Sequence, residues 1–428
     1  MDVSFPRNFI FLRRGYQASL VSASIIVQTI ILIYLPIAQP SNLEITAFTG
    51  LGCLLASLSG TVLIKSLGRY PGVEESSYTF PSLAVCYGIL LLILLMMRLP
   101  YSRLLIASTF AINLLLLSVL YAVLRKSAKL CIGVVPEGYF QDLTAIPNVK
   151  WRVLQSPEVD CHGIDAISVD LSGNLSSEWE RRLAAFALEG VPVYDLKHLR
   201  ESITGKVQIK HLSENSLGTL SPLYAWMTVK HVTDWVLALV AIVLLCPLLA
   251  VLALLIRLTS PGPAIFRQTR VGYRGKPFEV FKLRTMTTTP RSDSLRPESS
   301  DRLEAAVTKD NDVRITPVGR FLRQTRLDEL PQLLNVLKGE MSWIGPRPEA
   351  LVLSQWYERE IPFYPYRHIV RPGITGWAQV HQGHVANVED VTEKLHFDFY
   401  YIKHYSFWID LIVVGRTIKT MLTGFGAR

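Results

Sequence analysis

The first 125 residues alternate between long uncharged apolar runs and short charged breaks. No charge falls between Arg14 and Glu44, and the stretch Ala18 to Ala38 is long enough to cross a bilayer core, which needs ~20 apolar residues. Comparable charge-free runs lie between Glu44 and Lys65, Glu75 and Arg98, and Arg103 and Arg125, so four transmembrane helices are predicted. A cleaved signal peptide is the competing account of the first run. Its length, the lack of a small-residue cleavage site and the three spans behind it argue for a retained helix. A fifth apolar run, Trp235 to Ile256, carries Pro247 in its middle, where proline removes a helix hydrogen bond and clashes with the preceding turn. Lys230 and His231 precede this run, and Arg257, Arg267, Arg270, Arg274, Lys276, Lys282 and Arg284 follow it. Cations at both ends predict that both lie on the same, cytoplasmic side, as in a re-entrant helix-break-helix. An ordinary proline-kinked fifth span is the alternative.

Orientation follows from the other flanks. Arg7, Arg13 and Arg14 precede the first span, Lys65 and Arg69 follow the second, and Arg125, Lys126 and Lys129 follow the fourth, which sets the N-terminus and everything after residue 126 in the cytoplasm. Arg98 and Arg103, between spans three and four, point the other way and are outnumbered.

From residue 129 to about 215 the pattern shortens and becomes that of a soluble domain. Leu130 to Val135, Ile164 to Val169 and Val191 to Tyr194 read as short buried strands, with a helix opened by a Ser177/Glu180 capping box and ended at Gly190. Strand and helix in alternation predict a small α/β, Rossmann-like domain. Gly133 lies in the first strand and Gly138 follows it, but the third glycine of a dinucleotide fingerprint is missing, which favours a structural or regulatory role.

Composition narrows the class. Half of the 428 residues are hydrophobic and only 18% are charged, which excludes a disordered, collagenous or small disulfide-stapled protein. The five cysteines, Cys53, Cys86, Cys131, Cys161 and Cys246, show no paired spacing, so neither a disulfide framework nor a zinc site is expected. Lys and Arg exceed Asp and Glu by 44 to 35, and much of the excess sits just after the fifth apolar run, interleaved with Phe266, Tyr273, Phe278 and Phe281. Beside a membrane segment such cations meet lipid headgroups or a phosphorylated lipid rather than nucleic acid. A solvated juxtamembrane patch would account for many of them. Thr288 to Asp310 is polar and rich in Ser and Pro, a loop able to order over substrate.

The chemistry concentrates further on. Leu327-Asp328-Glu329-Leu330-Pro331-Gln332 is followed by Leu333, Leu334, Val336 and Leu337 at helical spacing. Asp328 as a helix cap is the simple structural account. The functional one is that Arg320, Arg323 and Arg326 upstream and Arg347 downstream build an anion site, in which two carboxylates hold a divalent cation and supply an oxygen nucleophile. His381 and His384 lack further ligands at metal spacing and are expected as loop histidines. Near the end Trp408, Leu411, Ile412, Ile418 and Leu422 form one apolar stripe, with Asp410, Arg416 and Lys419 elsewhere, suited to core packing or to a membrane interface.

Phe266-Arg267-Gln268-Thr269-Arg270-Val271-Gly272, Gly275-Lys276-Pro277-Phe278, Lys282-Leu283-Arg284-Thr285-Met286, the Leu327 to Gln332 segment, Gly345-Pro346-Arg347-Pro348 and Arg371-Pro372-Gly373-Ile374-Thr375-Gly376 together resemble the bacterial monotopic phosphoglycosyl transferases. These are polyprenyl-phosphate sugar-phosphate transferases, and the likeness runs from about Lys230 to the C-terminus. The spans and middle domain resemble the long, multi-span hexose-1-phosphate branch of capsule, O-antigen and exopolysaccharide synthesis. The resemblance implies transfer of a sugar 1-phosphate from a uridine diphosphate sugar to undecaprenyl phosphate, with Mg2+ and release of uridine monophosphate, at the cytoplasmic face of the bacterial inner membrane. It implies Asp328 as nucleophile through a covalent phosphosugar intermediate, Glu329 as metal-binding partner with Asp328, and Lys282, Arg284, Arg323 and Arg347, with Arg267 and Arg270, as neutralisers of phosphate or lipid charge. It also implies a re-entrant helix whose usual Ser-Pro break is Cys246-Pro247 here, and a headgroup contact at Lys230, His231 and Asp234. The domains expected are 1–127, four transmembrane helices; 128–220, the α/β domain; and 221–428, a mainly α catalytic domain with the re-entrant helix at 235–256. Membrane lipid is an expected partner and nucleic acid is not; homo-oligomerisation and the identity of the sugar are left open. A non-catalytic scaffold that binds the lipid or nucleotide sugar is the rival from another class, and transfer of a bare sugar with release of uridine diphosphate is the rival chemistry.

Overall fold

The computed structural model describes residues 43–67, 75–127, 130–137, 149–158, 164–171, 175–189, 191–207, 224–287, 314–382 and 388–423, with Ile26, Val27, Ile30 and Pro222. The first predicted span is therefore seen only as helical Ile26, Val27 and Ile30. The Thr288 to Asp310 loop, Cys161, Gly138, Gly190 and His384 lie outside the described residues. The chain divides into two compact units, Met1–Gly205 and Lys206–Arg428.

In the first unit, α1 (Leu43–Leu67), α2 (Glu75–Met96) and α3 (Arg103–Ser127) coincide with the predicted second to fourth spans. Each contains a stretch long and apolar enough to cross a membrane. Cys53, Leu83, Tyr87, Leu117 and Tyr121 form their shared core. Lipid offers no hydrophobic drive for helices to associate, so polar pairs and close packing hold them instead. Here Ser57 Oγ lies 2.7 Å from Tyr87 Oη, and Asn113 Nδ2 donates to Ser57 Oγ at 3.2 Å.

The same unit carries a four-stranded, all-parallel sheet of β1 (Leu130–Val134), β2 (Val149–Val153), β3 (Ala166–Val169) and β4 (Val193–Asp195) in the order β2-β1-β3-β4. Helix α4 (Ser177–Leu188) crosses between β3 and β4, and α5 (Leu196–Thr204) follows. β2 went unpredicted because it is a half-exposed edge strand whose Lys150 and Arg152 break the apolar run, although Val149, Trp151 and Val153 do alternate. The expected Ser177/Glu180 capping box is a correction: Ser176 is the N-cap and makes no side-chain cap bond. The carboxylate of Glu137, beyond the end of β1, instead accepts from Ser176 N at 2.8 Å and from Ser176 Oγ at 3.0 Å. An acid from a distant loop thus meets the positive end of α4.

In the second unit α6 (Tyr224–Thr259) is helical without interruption through Cys246 and Pro247, so the break expected there does not appear as a gap in the helix. Proline inside a helix is accommodated by a kink that leaves the flanking turns intact. Ala238 in its first half packs on Val280, Leu333, Val336 and Met341, while Leu252 and Ile256 in its second half pack on Ala264, Leu283 and Leu322. The antiparallel hairpin of β5 (Ile265–Val271) and β6 (Pro277–Leu283) follows. Its turn needs Gly275 at φ +72°. Next come α7 (Pro317–Thr325), a 3-10 turn (Leu327–Gln332), α8 (Leu333–Leu337), β7 (Ser342–Ile344), α9 (Leu351–Glu360), β8 (Gly373–Thr375), α10 (Trp377–His381), α11 (Val388–Lys403) and α12 (Phe407–Thr423). β7 and β8 pair in parallel, so closely that a Cβ on Gly345 would sit 2.3 Å from Arg371 O. The C-terminal stripe is partly redrawn. Ile409, Ile412 and Val413 of α12 are buried, Ile418 is exposed, and Asp410, expected on the polar side, is buried. The Leu422 side chain lies outside the described residues.

Candidate active site

Three chain segments converge on one pair of carboxylates. Thr316 caps α7 by accepting from Gly319 N at 2.9 Å, and Pro317 occupies the first turn, where its missing N–H costs nothing. Gly319 lets the helix approach the exit of β6: a Cβ there would lie 2.0 Å from Thr285 O. The helix stops at Arg326, a left-handed residue at φ +59°. Such a conformation costs a non-glycine residue on the order of 1 kcal/mol and turns the chain sharply inward. Asp328 and Glu329 follow at once, on the 3-10 turn rather than on the α-helix expected, and both are buried.

Glu329 is locked. Its Oε1 accepts from Lys282 Nζ of β6 at 2.9 Å and from Arg347 Nη2, just past β7, at 2.8 Å. Burial alone would raise its carboxyl, but Arg347 and Lys282 together outweigh that and hold it well below the carboxylate range. The same burial pushes Lys282 down to about 8, against the pull of Glu329. Asp328 differs: burial and the neighbouring Glu329 charge raise its carboxyl, with Lys282, Arg347 and Arg323 opposing. Its Oδ1 is buried with no hydrogen-bond partner. A buried oxygen without a donor is costly, and in a native site it calls for an explanation. Among the described residues no three His, Cys, Asp or Glu side chains converge as a metal-binding group, so from these residues a cation here would have only the two carboxylates.

The remaining predicted residues separate into groups. Arg270 stands behind Arg347, donating to Pro348 O at 2.5 Å and to Gln268 Oε1 at 2.9 and 3.1 Å, and burial lowers it to about 10. Arg323 Nε donates to Thr285 Oγ1 at 3.0 Å. Arg284 is structural, since its guanidinium binds Ser260 O, Ser260 Oγ and Pro261 O at 2.7 to 2.9 Å and so closes the C-terminal end of α6. Arg267 is exposed, 3.8 Å from Glu279 and over the Phe281 ring. Lys230 and Asp234, expected at headgroups, are buried. Lys230 Nζ lies 2.8 Å from Asp410 and 3.7 Å from Asp234, and Asp234 accepts from Ser342 Oγ at 2.5 Å, binding α6 to α12 and β7. His231 lies against Gly339. Cys246 is exposed on α6 beside Pro247. His381 is packed rather than in a loop, 4.1 Å from the Trp377 ring and stacked on Phe397.

Behind the site lies a buried ionic layer that the sequence did not disclose. Arg367 Nη2 donates to Arg347 O at 2.9 Å and pairs with Asp398 at 2.8 Å, while Glu349 pairs with Lys394. Burial would raise Glu349, but Lys394 and Arg367 hold it down to about 2. Position two after Arg347 was the available signal for Glu349. For Arg367 and Asp398, spaced far apart in sequence, there was none.

A carboxylate with an unbonded oxygen, set among cations aimed at its neighbour, is suited to nucleophilic phosphoryl chemistry. The sequence pattern of bacterial sugar transferases matches residues 225–424, which covers this site entirely. A UDP-N-acetylgalactosamine-undecaprenyl-phosphate N-acetylgalactosaminephosphotransferase of Aeromonas hydrophila is 44% identical over 374 residues, 87% of this chain and 85% of that protein. The chain belongs to the bacterial sugar transferase family. Other members match over about half of the chain. A UDP-glucose:undecaprenyl-phosphate glucose-1-phosphate transferase of Escherichia coli is 39% identical over 227 residues, 53% of this chain and 46% of that protein. One of Caulobacter vibrioides is 45% identical over 196 residues, 45% of this chain and 70% of that protein. The family likeness thus coincides with the unit that assembles Lys282, Asp328, Glu329 and Arg347.

Proposed function

We propose that this sugar transferase moves a sugar 1-phosphate from a uridine diphosphate sugar to undecaprenyl phosphate. The observation that carries the reading is Asp328 Oδ1, buried and unbonded beside a Glu329 that Lys282 and Arg347 hold ionised. Asp328 attacks the sugar-bearing phosphorus, the bond between the two phosphates breaks, and uridine monophosphate leaves. The resulting acyl phosphate carries the sugar. The lipid phosphate then attacks the same phosphorus, forming a lipid diphosphate sugar and returning the Asp328 carboxylate. Lys282, Arg347 and, behind them, Arg270 and Arg323 offset charge on the phosphates, where most of the catalytic work of phosphoryl transfer lies.

The Asp328 and Glu329 donor set suits magnesium, which binds through one or two carboxylates and takes further ligands from substrate phosphates. Bound there, it would supply further charge neutralisation.

The reading places α6 in one leaflet. If straight, the stretch from Lys230 to Ser260 would reach roughly 45 Å, more than a bilayer core. Yet Lys230 binds Asp410 and Ser260 binds Arg284, within one compact unit, which supports a helix that enters and returns. Cations at both its ends support an inner-membrane protein whose site faces the cytoplasm, in the first membrane step of exopolysaccharide, capsule or O-antigen synthesis. We keep the three-part division at 127/128 and 220/221, with a Rossmann-like middle domain and self-association as further parts of this reading.

The test is release of uridine monophosphate in lipid discs with undecaprenyl phosphate, magnesium and a panel of uridine diphosphate sugars. N-acetylgalactosamine is the first sugar to try, since the relative matched along most of both chains is named for it. Release with one sugar is the expected result. Release of uridine diphosphate instead would mean bare-sugar transfer, and no release from folded, lipid-binding protein would mean a scaffold.

A further inference from the structure

Residues 345–349, which carry Arg347, belong to no helix or strand. Pro346 and Pro348 flank Arg347 and have no backbone N–H, so this loop is held largely through its carbonyls. Each carbonyl in turn has a donor. Pro346 O accepts from Gly373 N at 3.0 Å and Glu349 O from Val271 N at 3.1 Å. Pro348 O and Arg347 O take guanidinium donors instead, from Arg270 at 2.5 Å and from Arg367 at 2.9 Å. A charged donor makes a stronger hydrogen bond than a neutral one.

Arg367 lies on the 3-10 turn Tyr364–Ile369, and its side chain is only 2% exposed. Its fork reaches Arg347 O, Asp398 at 2.8 Å and Tyr364 Oη at 2.7 Å. The ion pair with Asp398 offsets the cost of burying the charge, but a lysine could supply that pair as well. The contact with Arg347 O is what the planar fork adds. Arg367 has no hydrogen bond to Asp328 or Glu329 among the described residues; the side chain of Arg347 makes that link, donating to Glu329 at 2.8 Å. One turn before Asp398 on α11, Lys394 pairs with Glu349, so the same helix braces the loop at a second point.

We propose that Arg367, backed by Asp398, is a positioning residue for transfer: it fixes the main chain of Arg347 so that the Arg347 guanidinium stays on Glu329, beside Asp328. The proposal rests on the phosphosugar-transfer reading and adds what holds one of its cations in register. A small displacement of such a group is enough to slow a reaction that depends on alignment.

The test is a double-mutant cycle. Arg367→Lys keeps a cation for Asp398 and loses the fork. It is compared in lipid discs with Arg347→Ala and with both substitutions together, by uridine monophosphate release and by apparent Tm. The expected result is a roughly tenfold lower kcat for Arg367→Lys, with KM for the nucleotide sugar changed less than about twofold. In the Arg347→Ala background the same substitution changes kcat less than about twofold, because the group it positions is already gone. Arg284→Lys is the control: another buried arginine that binds carbonyls, but with no partner shared with Arg347, so its losses multiply with those of Arg347→Ala. A wild-type kcat in Arg367→Lys, or losses that multiply with Arg347→Ala as in the control, overturns the proposal. If the lysine variant does not fold, Arg367→Gln with Asp398→Asn removes both buried charges together and carries the same expectations. The thermal cycle needs no turnover: Arg347→Ala is expected to lower the apparent Tm less in Arg367→Lys than in wild type, and equal losses overturn the proposal. Wild-type protein that releases no uridine monophosphate with any sugar removes the transfer reading, and the thermal cycle then decides by itself whether Arg367 positions Arg347.

Discussion

Burial raises the Asp328 carboxyl, and the Glu329 charge raises it further, whereas the adjacent Glu329 is held low because two cations point at one of its oxygens. Neighbours in sequence therefore differ in chemistry through their partners, Lys282 and Arg347, which come from 47 residues before and 18 after Glu329. The sequence disclosed this pair and its cations, because adjacent acids among arginines are an unusual pattern. It did not separate the arginines by role. Arg284 and Arg347 look alike in a motif, yet Arg284 closes a helix end and Arg347 contacts Glu329. The two should respond differently to substitution. Arg347→Ala leaves Glu329 with a single cation and is expected to lower kcat by about 10²-fold in folded protein. Arg284→Ala should instead lower the apparent Tm first. Steady-state release of uridine monophosphate alongside thermal scanning in lipid discs separates these outcomes.

At the level of elements, α10 and α12 meet through His381. Its Nδ1 lies 2.7 Å from Trp377 O, a carbonyl that can only accept, so Nε2 is left to accept from Arg416. Burial and Arg416 push the imidazole down to about 3 from its usual 6.5. Between those values the unfolded chain binds a proton that the folded one refuses, so stability is full above about pH 6.5 and falls as pH falls. His368, lowered to about 3 chiefly by burial and then by Arg367, acts in the same direction. The apparent Tm is expected to drop between about pH 7 and pH 5, and His381→Phe should make that slope shallower by up to ~1.4 kcal/mol per pH unit. An unchanged slope would contradict the neutral, buried histidine. The second to fourth spans, the strands β1, β3 and β4 and the helix Leu333–Leu337 were legible, since each carries an apolar run or period. Asn335, in the middle of the Leu333 to Leu337 run, is where period alone fell short. It is fully buried, accepts from Phe281 N at 3.1 Å and donates to Glu279 O at 2.6 Å, fastening α8 to β6 across a long sequence separation.

For the whole molecule, the second unit fastens both ends of α6 to itself through Lys230 with Asp410 and Ser260 with Arg284. Single cysteines at Val229 and Lys276, in a background without the natural thiols, should therefore both escape a membrane-impermeant maleimide in intact cells and both react after lysis. Labelling of either one from outside would make α6 an ordinary span. The apolar runs and motif order made the membrane character and the catalytic unit legible. The ionic layer of Glu349, Arg367, Lys394 and Asp398 was not, because its members meet only when α9, α11 and the Tyr364–Ile369 turn are folded together. The central claim is that Asp328 carries the phosphosugar, and it is tested most directly by intact-protein mass spectrometry after incubation with the uridine diphosphate sugar, without acceptor lipid. The account predicts a mass increase of one sugar phosphate that maps to Asp328, disappears when undecaprenyl phosphate is added and never forms in Asp328→Asn. An adduct on another residue, or full turnover by Asp328→Asn, would contradict it.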